Sequence, residues 1–311
     1  MRVLRFACMY TDTIHRCIRM HIRTDTKYRI HTQKDDLLLC AAEGVLGRAL
    51  RPPQIRLEAT RAKKLMFIGA SLQRETYYEL VRLLGYTHVI DVNDKYRGLL
   101  KFTVGGGGGE VSGGDAASLE LIFQWQEVTR GGGVNWPFAN SSVYEYELFV
   151  RDFHHAIQAQ GIGLGDVVVV ATSPYDLVHR PLATAEQGAE LVARALAEVT
   201  SRKDGPTVLF RNQDANHLPW ISYGRSMRTP QDGMTVARGE RVSRWYARAM
   251  RKHRVHVLHT FALTVVRGDM SRDGIHYRTT RELSTNTVSR TVLQLLLQAL
   301  CATGENDQYH L

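Results

Sequence analysis

Three residues in this sequence are of the types that carry out nucleophilic catalysis: a serine, an aspartate and a histidine. Ser71 follows the apolar run at residues 65–68 and precedes a helix-like stretch, so the pattern places its hydroxyl on a strand-to-helix turn. Asp273 and His276 lie three residues apart in a glycine-containing segment, where one loop would let a carboxylate orient an imidazole ring. Together the three are the residues of a serine hydrolase, in which histidine takes the proton of the serine hydroxyl.

The elements that must position these residues alternate between apolar runs typical of strands and periodic stretches typical of helices. We expect strands at residues 65–68, 88–92, 166–171, 207–211 and 255–260. We expect helices at residues 72–84, 143–158, 183–200, 240–251 and 280–300. The alternation favours an α/β fold, a three-layer sandwich around a mainly parallel, five-stranded sheet. The four valines at 167–170 indicate a strand covered on both faces, in the middle of that sheet.

A long excursion separates the second and third expected strands. It contains glycine runs at residues 105–109, 113–114 and 131–133. Such runs lose too much backbone entropy to lie inside regular structure, so we expect loop insertions around one short strand at 119–123. No Gly-Lys-Ser/Thr follows the glycines, so a phosphate-binding P-loop is not expected.

Charge and pattern divide the chain into three parts. Residues 1–62 are a basic extension without the period of a packed element, residues 63–303 form the α/β domain, and residues 304–311 are a tail. Residues 1–64 contain 14 Lys or Arg and 6 Asp or Glu, whereas the rest of the chain contains 26 and 25. Because the excess belongs to the unpatterned front segment and not to the folded domain, we do not expect a nucleic-acid partner.

Cysteines and hydropathy bear on the compartment. The four cysteines show neither CxxC nor metal-ligand spacing and are interpreted as free thiols in a reducing compartment: Cys8, Cys17, Cys40 and Cys301. No apolar run approaches the roughly 20 residues that span a bilayer, and no secretory signal is recognisable. We therefore expect no membrane span and a cytoplasmic or organellar location. Nothing in the pattern indicates an oligomeric state.

One histidine group could be taken for a metal site. His253, His256 and His259 fall at intervals of three where a basic helix end passes into a strand. Strand positions three apart point to opposite faces, so these rings do not converge on an ion. We expect no metal and no organic cofactor.

The two catalytic segments resemble conserved blocks of the SGNH (GDSL-like) hydrolase superfamily, and within it the PC-esterase group, which is similar to trichome-birefringence-like acetyltransferases and related animal proteins. Residues 69–74, Gly-Ala-Ser-Leu-Gln-Arg, look like that group's Gly-Asp-Ser-x-x-Arg block. Residues 273–277, Asp-Gly-Ile-His-Tyr, look like its Asp-Gly-x-His-Tyr/Trp block. The resemblance covers residues 63–302 and implies an SGNH, flavodoxin-like fold.

The resemblance also implies a function. It indicates a serine esterase or O-acyl transferase, acetyl transfer included, that acts on a small-molecule or glycan ester through Ser71, His276 and Asp273. The candidate oxyanion donors are the backbone N–H groups of Ser71 and of Gly98, expected after the second strand, and the side chains that follow the middle strand, Thr172 and Ser173. Arg74, one helical turn after Ser71, is either a solvated arginine or a structural ion pair or substrate contact.

Two departures from the group's pattern bear on activity. Ala70 stands where the group has the aspartate of Gly-Asp-Ser, and Ala171 stands where it has an asparagine that donates to the oxyanion. Losing one oxyanion donor costs on the order of 10² to 10³ in turnover. The alternative function is therefore a weakened or inactive pseudoenzyme of SGNH fold that binds a glycan or a protein partner.

Overall fold

The computed structural model describes residues 63–84, 86, 98–104, 118–126, 143–172, 182–217, 235–268, 271, 276–277 and 287–302. Within them the elements follow in the order β1 (Lys64–Gly69), α1 (Ser71–Leu83), β2 (Leu99–Val104), β3 (Leu119–Trp125), α2 (Tyr144–Ala159), β4 (Val167–Ala171), α3 (Leu182–Thr200), β5 (Thr207–Arg211), α4 (Val236–Lys252), β6 (His256–Leu258), α5 (Phe261–Val265) and α6 (Thr287–Ala302). The expected α/β class is correct.

The strands form one sheet in the order β2-β3-β1-β4-β5-β6. Every neighbouring pair is parallel except β2 with β3. The parallel strands therefore end at one common edge, which is where loops of open α/β sheets bind ligands. Ser71 begins the helix that follows β1 at that edge.

The expectation of five strands is wrong, since the described residues contain six. Two of these six were not among the five expected sheet strands: β3, which was expected as a short strand within the loop insertions, and β2, which lies at the edge of the sheet and pairs with β3. Leu100 and Phe102 pack inward whereas Leu99 and Lys101 are exposed, so β2 lacks the continuous apolar run of the central strands. The expected strand at 88–92 and the three glycine runs lie outside the described residues.

The hydrophobic core lies on both faces of the sheet. Val168 and Val170 pack with α2, α3 and α4 on one face. Val167 and Val169 face the other side, where α1 and α6 cover the sheet. The run of four valines is thus buried on both faces, as its composition predicts. Together the sheet and its two helical layers make the three-layer sandwich that the sequence predicted.

Among the helices whose expected starts are described, the bounds differ mainly at α4, which begins four residues before the expected start at residue 240. The expected start of the closing helix, at residue 280, lies outside the described residues. Thr235 caps it, because its side chain accepts a hydrogen bond from the Arg238 N–H at 3.1 Å. Among the helices described, none is both long enough and apolar enough to cross a bilayer.

Candidate active site

Ser71 is the first residue of α1 and is half-buried at the carboxyl-terminal edge of the sheet. Ala70, the N-cap, has extended backbone angles, and its carbonyl accepts the N–H of Arg74 at 3.0 Å, which closes the first helical turn. The side chain of an alanine has no oxygen with which to cap the helix. The N–H groups of the first turn and the helix dipole give this position a positive potential, which suits an oxyanion.

A glycine allows the chain to turn sharply before Ser71. Gly69 has a φ of +156°, and a Cβ built on it would lie 2.9 Å from the Gln73 Cβ and 3.0 Å from the Ala171 carbonyl oxygen. A side chain larger than hydrogen would force Gln73 or the end of β4 to shift. The glycine therefore lets α1 pack closely against the end of β4, the strand that pairs with β1.

The Ser71 hydroxyl meets the ring of His276 across 205 residues of sequence. Ser71 Oγ and His276 Nε2 are 2.7 Å apart, in a partly buried position. This distance is that of a hydrogen bond, in which the hydroxyl donates to Nε2 when the imidazole carries its proton on Nδ1. A serine and a histidine so arranged can act as nucleophile and general base.

Tyr277 anchors the histidine. Its side chain is 1% exposed, and its hydroxyl donates to the Ala215 carbonyl, with the Thr264 carbonyl at 3.4 Å. Burial, and then the nearby Asp214 carboxylate, raise the pKa of this phenol, so it remains a hydrogen-bond donor. His276 is thereby tied to the loop that follows β5.

Two of the sequence-derived site residues, Asp273 and Ser173, lie outside the described residues. The orienting acid and this oxyanion donor remain predictions.

Arg74 is buried. It is only 6% exposed, and its guanidinium carbon lies 4.9 Å from the centre of the Trp125 ring. A cation over an aromatic face at this distance is attracted by the ring. The interpretation of Arg74 as a solvated arginine is therefore wrong, and its role as a structural or substrate contact stays open.

The two other oxyanion candidates lie at the same edge of the sheet. Thr172 directly follows β4 and is 8% exposed, and its Oγ1 has no hydrogen-bond partner among the described residues. Gly98 is exposed and accepts the Trp125 N–H at 2.7 Å through its carbonyl. Gly98 directly precedes the antiparallel strand β2, and the strand expected before it, at residues 88–92, lies outside the described residues. Trp125 pairs with Gly69, so Gly98 lies about two strand spacings, roughly 10 Å, from β1.

Arg211, at the end of β5, holds the first turn of the serine helix and was not among the candidate residues. Its Nη1 donates to the Leu72 carbonyl at 3.0 Å, to Thr76 Oγ1 at 2.8 Å and to Gln73 Oε1 at 3.2 Å. Its Nη2 donates to the Asp214 carboxylate at 2.5 Å. The two charged side chains are 3% and 2% exposed. The sequence signal was a charged residue at the end of an apolar strand, followed by an acid three positions later.

The loop after β5 contains further buried polar atoms. Asn216 is fully buried, and neither its amide nitrogen nor its oxygen has a partner among the described residues. The same holds for Asp214 Oδ1. Buried polar atoms without partners are costly and uncommon, and they concentrate at sites that bind ligands or water. No cluster of three or more metal-ligating side chains occurs in the part of the chain that the structure describes.

A cavity of about 300 Å³ lies elsewhere, on the other face of the sheet from α1. Gln124, Gln126 and His155 are among the residues that line it. It lies between β3 and α2, and Ser71 is not among the residues that line it.

Comparisons with known proteins find similar structures, but no protein-family model matches the sequence and no curated protein is significantly similar to it. The structure is similar to that of a lipase/acylhydrolase from Enterococcus faecalis, at 10% identity and a TM-score of 0.45, over 78% of this chain and 96% of that one. It is also similar to an α/β hydrolase from the metagenome of Lake Arreo, Spain, at 10% identity and a TM-score of 0.43, over 77% and 96% of the two chains. At this identity the similarity concerns the fold and not the chemistry.

Proposed function

We propose that this protein is a serine hydrolase, an esterase or O-acyl transferase that uses Ser71 as nucleophile and His276 as general base. The observation that carries the proposal is the 2.7 Å contact between Ser71 Oγ and His276 Nε2 at the N-terminus of α1. His276 takes the hydroxyl proton as Ser71 attacks an ester carbonyl, and the first-turn N–H groups of α1 receive the developing negative charge. In this proposal the Asp273 carboxylate accepts a hydrogen bond from the other ring nitrogen of His276, Nδ1, and so keeps the imidazole in the tautomer that can accept the Ser71 proton.

The substrate is proposed to be an acylated carbohydrate. This part rests on the resemblance of the two sequence blocks to PC-esterases and acetyltransferases. His276 gives the proton it took from Ser71 to the departing alcohol as the ester C–O bond breaks, which leaves the acyl group on Ser71. Water or a sugar hydroxyl then attacks the acyl-enzyme while His276 removes its proton, and His276 passes that proton to Ser71 Oγ as the bond between Ser71 and the acyl group breaks. Hydrolysis and transfer share these steps and differ in the nucleophile that is admitted.

Covalent labelling tests the nucleophile. The full-length protein should gain one fluorophosphonate group by intact mass, Ser71→Ala should gain none, and the exposed-serine control Ser201→Ala should label like the parent. Hydrolysis of p-nitrophenyl acetate should disappear in His276→Ala and persist in His155→Ala, whose ring is exposed on α2. Labelling of Ser71→Ala at the parental rate would exclude Ser71 as the nucleophile.

The second candidate is a binding protein without turnover. The observation in its favour is Ala70, because the N-cap of α1 has no side-chain hydrogen bond. If the parent neither labels nor hydrolyses the ester, yet binds an acetylated oligosaccharide equally well with and without the Ser71 hydroxyl, this second function replaces the first. If the enzyme is active, transfer can be distinguished from hydrolysis by adding an oligosaccharide acceptor and measuring product masses. Transfer adds the acyl group to the acceptor, whereas hydrolysis releases the free acid.

A further inference from the structure

The outer face of α4 carries a continuous row of positive side chains, which we call the basic stripe. It comprises five exposed residues at spacings of three, four or one: Arg241, Arg244, Arg248, Arg251 and Lys252. The opposite face of the helix is buried in the core through Val242, Tyr246 and Met250. At 1.5 Å per residue the stripe is about 16 Å long, with neighbouring charges about 5–6 Å apart.

Most of this charge is not neutralised by neighbouring carboxylates. Glu240 pairs with Arg244, and Glu190 lies 2.6 Å from the Lys252 amine. The three other arginines of the stripe have no carboxylate partner among the described residues. Exposed pairs contribute little, so the face keeps a net positive potential.

Arg254 extends the stripe past the end of the helix at a cost in backbone energy. Val255 N–H bonds the Met250 carbonyl at 2.9 Å and Arg254 N–H bonds the Arg251 carbonyl at 3.1 Å, which is the Schellman pattern of a helix end. Arg254 has a φ of +58°, the left-handed position that glycine normally takes there. A side chain in this conformation strains the backbone, because its Cβ approaches the following carbonyl oxygen. Local rules are broken in this way chiefly where function requires it.

The chemistry of the stripe favours one kind of partner. Arginine binds carboxylate, sulfate and phosphate groups bidentately and is favoured over lysine where such groups are recognised. Of the aromatic residues of α4, Tyr246 is buried, and Trp245, which is partly buried at the border of the stripe, packs against the core. A single partly buried ring is not the row of stacking aromatic residues typical of single-strand nucleic-acid sites, and the residues of the stripe itself are charged rather than apolar, unlike those that enter a bilayer.

We propose that the basic stripe and Arg254 bind an anionic polysaccharide, a linear chain that bears carboxylate or sulfate groups. The charge spacing and the arginine chemistry indicate a linear polyanion. The choice of a polysaccharide rests on the proposed function, in which the ester is carried by a carbohydrate. Because α4 contacts β6, the last strand of the sheet, the helix that carries the stripe lies near the sheet edge opposite β2.

Binding of the full-length protein to three probes tests the proposal: heparin, polygalacturonate and a DNA duplex of matched charge. The stripe variant is Arg241→Glu/Arg248→Glu/Arg251→Glu. The control, Lys63→Glu/Lys101→Glu/Arg151→Glu, makes the same change in net charge at exposed positions away from α4. We expect the stripe variant to lose at least about tenfold more affinity for the polysaccharides than the control. The slope of log K against log salt should decrease by about two or three.

Three results would overturn the proposal or part of it. Equal losses in the two triple variants would mean that the attraction is nonspecific or belongs to another segment. Tighter binding of DNA than of the polysaccharides would make the partner a nucleic acid. If the glutamate variant does not fold, the corresponding glutamine variant replaces it, and unchanged affinity in that variant also refutes the stripe.

The same experiment separates this proposal from the proposed function. Ser71→Ala should bind the polysaccharides like the parent, because α4 and α1, which carry the stripe and the nucleophile, cover opposite faces of the sheet. Polysaccharide binding without any Ser71-dependent hydrolysis would refute the proposed serine hydrolase function and support binding by the basic stripe. Ser71-dependent hydrolysis, combined with equal polysaccharide affinity in the two triple variants, would refute only the proposal that the basic stripe binds polysaccharide.

Discussion

Replacing Thr172 with valine should make the protein more stable and the enzyme slower. Thr172 follows β4, and its neighbour Ala171 places a carbonyl oxygen 3.0 Å from the Cβ position of Gly69, two residues before the nucleophile. Its hydroxyl oxygen is fully enclosed and has no hydrogen-bond partner among the described residues. Valine has nearly the same shape and no hydroxyl to desolvate.

The size of both effects follows from this geometry. A buried hydroxyl without a partner costs about 1–3 kcal/mol, so Thr172→Val should raise the free energy of unfolding by about 1–2 kcal/mol. If the hydroxyl donates to the oxyanion in the transition state, its removal should lower kcat by about 10²-fold or more, with little change in KM. Urea denaturation measures the first effect, and p-nitrophenyl acetate turnover measures the second.

Thr260→Val is the matched control for stability. Thr260 is also fully buried, but its hydroxyl donates to the Asn212 carbonyl at 2.8 Å. Valine at this position leaves that carbonyl without its donor, so the free energy of unfolding should fall by about 1–3 kcal/mol. The two Thr→Val changes should therefore move stability in opposite directions.

Two outcomes would refute the reasoning, at different steps. A loss of stability in Thr172→Val as large as that in Thr260→Val would mean that the Thr172 hydroxyl has a hydrogen-bond partner. A gain in stability with unchanged kcat would mean that the hydroxyl has no partner in the transition state either, and the oxyanion donors must then be backbone groups alone.

Three further substitutions test the supports of the site and of α4 by urea or thermal denaturation. Arg211→Met should cost about 3–5 kcal/mol because it leaves the Asp214 carboxylate buried and unpaired, and Asp214→Leu in the same chain should restore part of the loss; a cost below about 1 kcal/mol would contradict the buried pair. Gly69→Ala should cost about 1–3 kcal/mol because the added methyl group overlaps Gln73, and an unchanged midpoint would refute the close approach. Arg254→Gly should gain about 1 kcal/mol by relieving the left-handed backbone, and a loss would show that the arginine side chain makes a stabilising contact.

The central strands could be predicted from sequence because their signal is local. The run at 167–170 is four β-branched valines without a polar residue, which favours a strand buried on both faces. The start of α4 was missed because its first turn includes Arg238 and Gly239, which do not continue an apolar period. The edge strand β2 was missed because it buries one side only and precedes a glycine run, which favoured a loop.

The site could be predicted only in part, and for a different reason. The types and order of Ser71 and His276 pointed to a shared site through resemblance to conserved blocks, and their atoms are 2.7 Å apart. The contacts of Arg211 join residues 135 or more positions apart. Such polar contacts follow no period along the chain, so no local pattern indicates them. Only the assembled sheet, with the ends of β1, β4 and β5 at one edge, reveals the network.

This network changes what Ala70 implies. A carboxylate at position 70 could cap α1 and hold the turn, and alanine cannot. The first turn is nevertheless held from two other strands, because Arg211 donates to the Leu72 carbonyl and Gln73 donates to the Val169 carbonyl at 3.0 Å. These contacts are buried, so water does not compete for them, and they fix the residues that directly follow the nucleophile. The alanine removes one support of a turn that has several, and it does not by itself make the protein an inactive one.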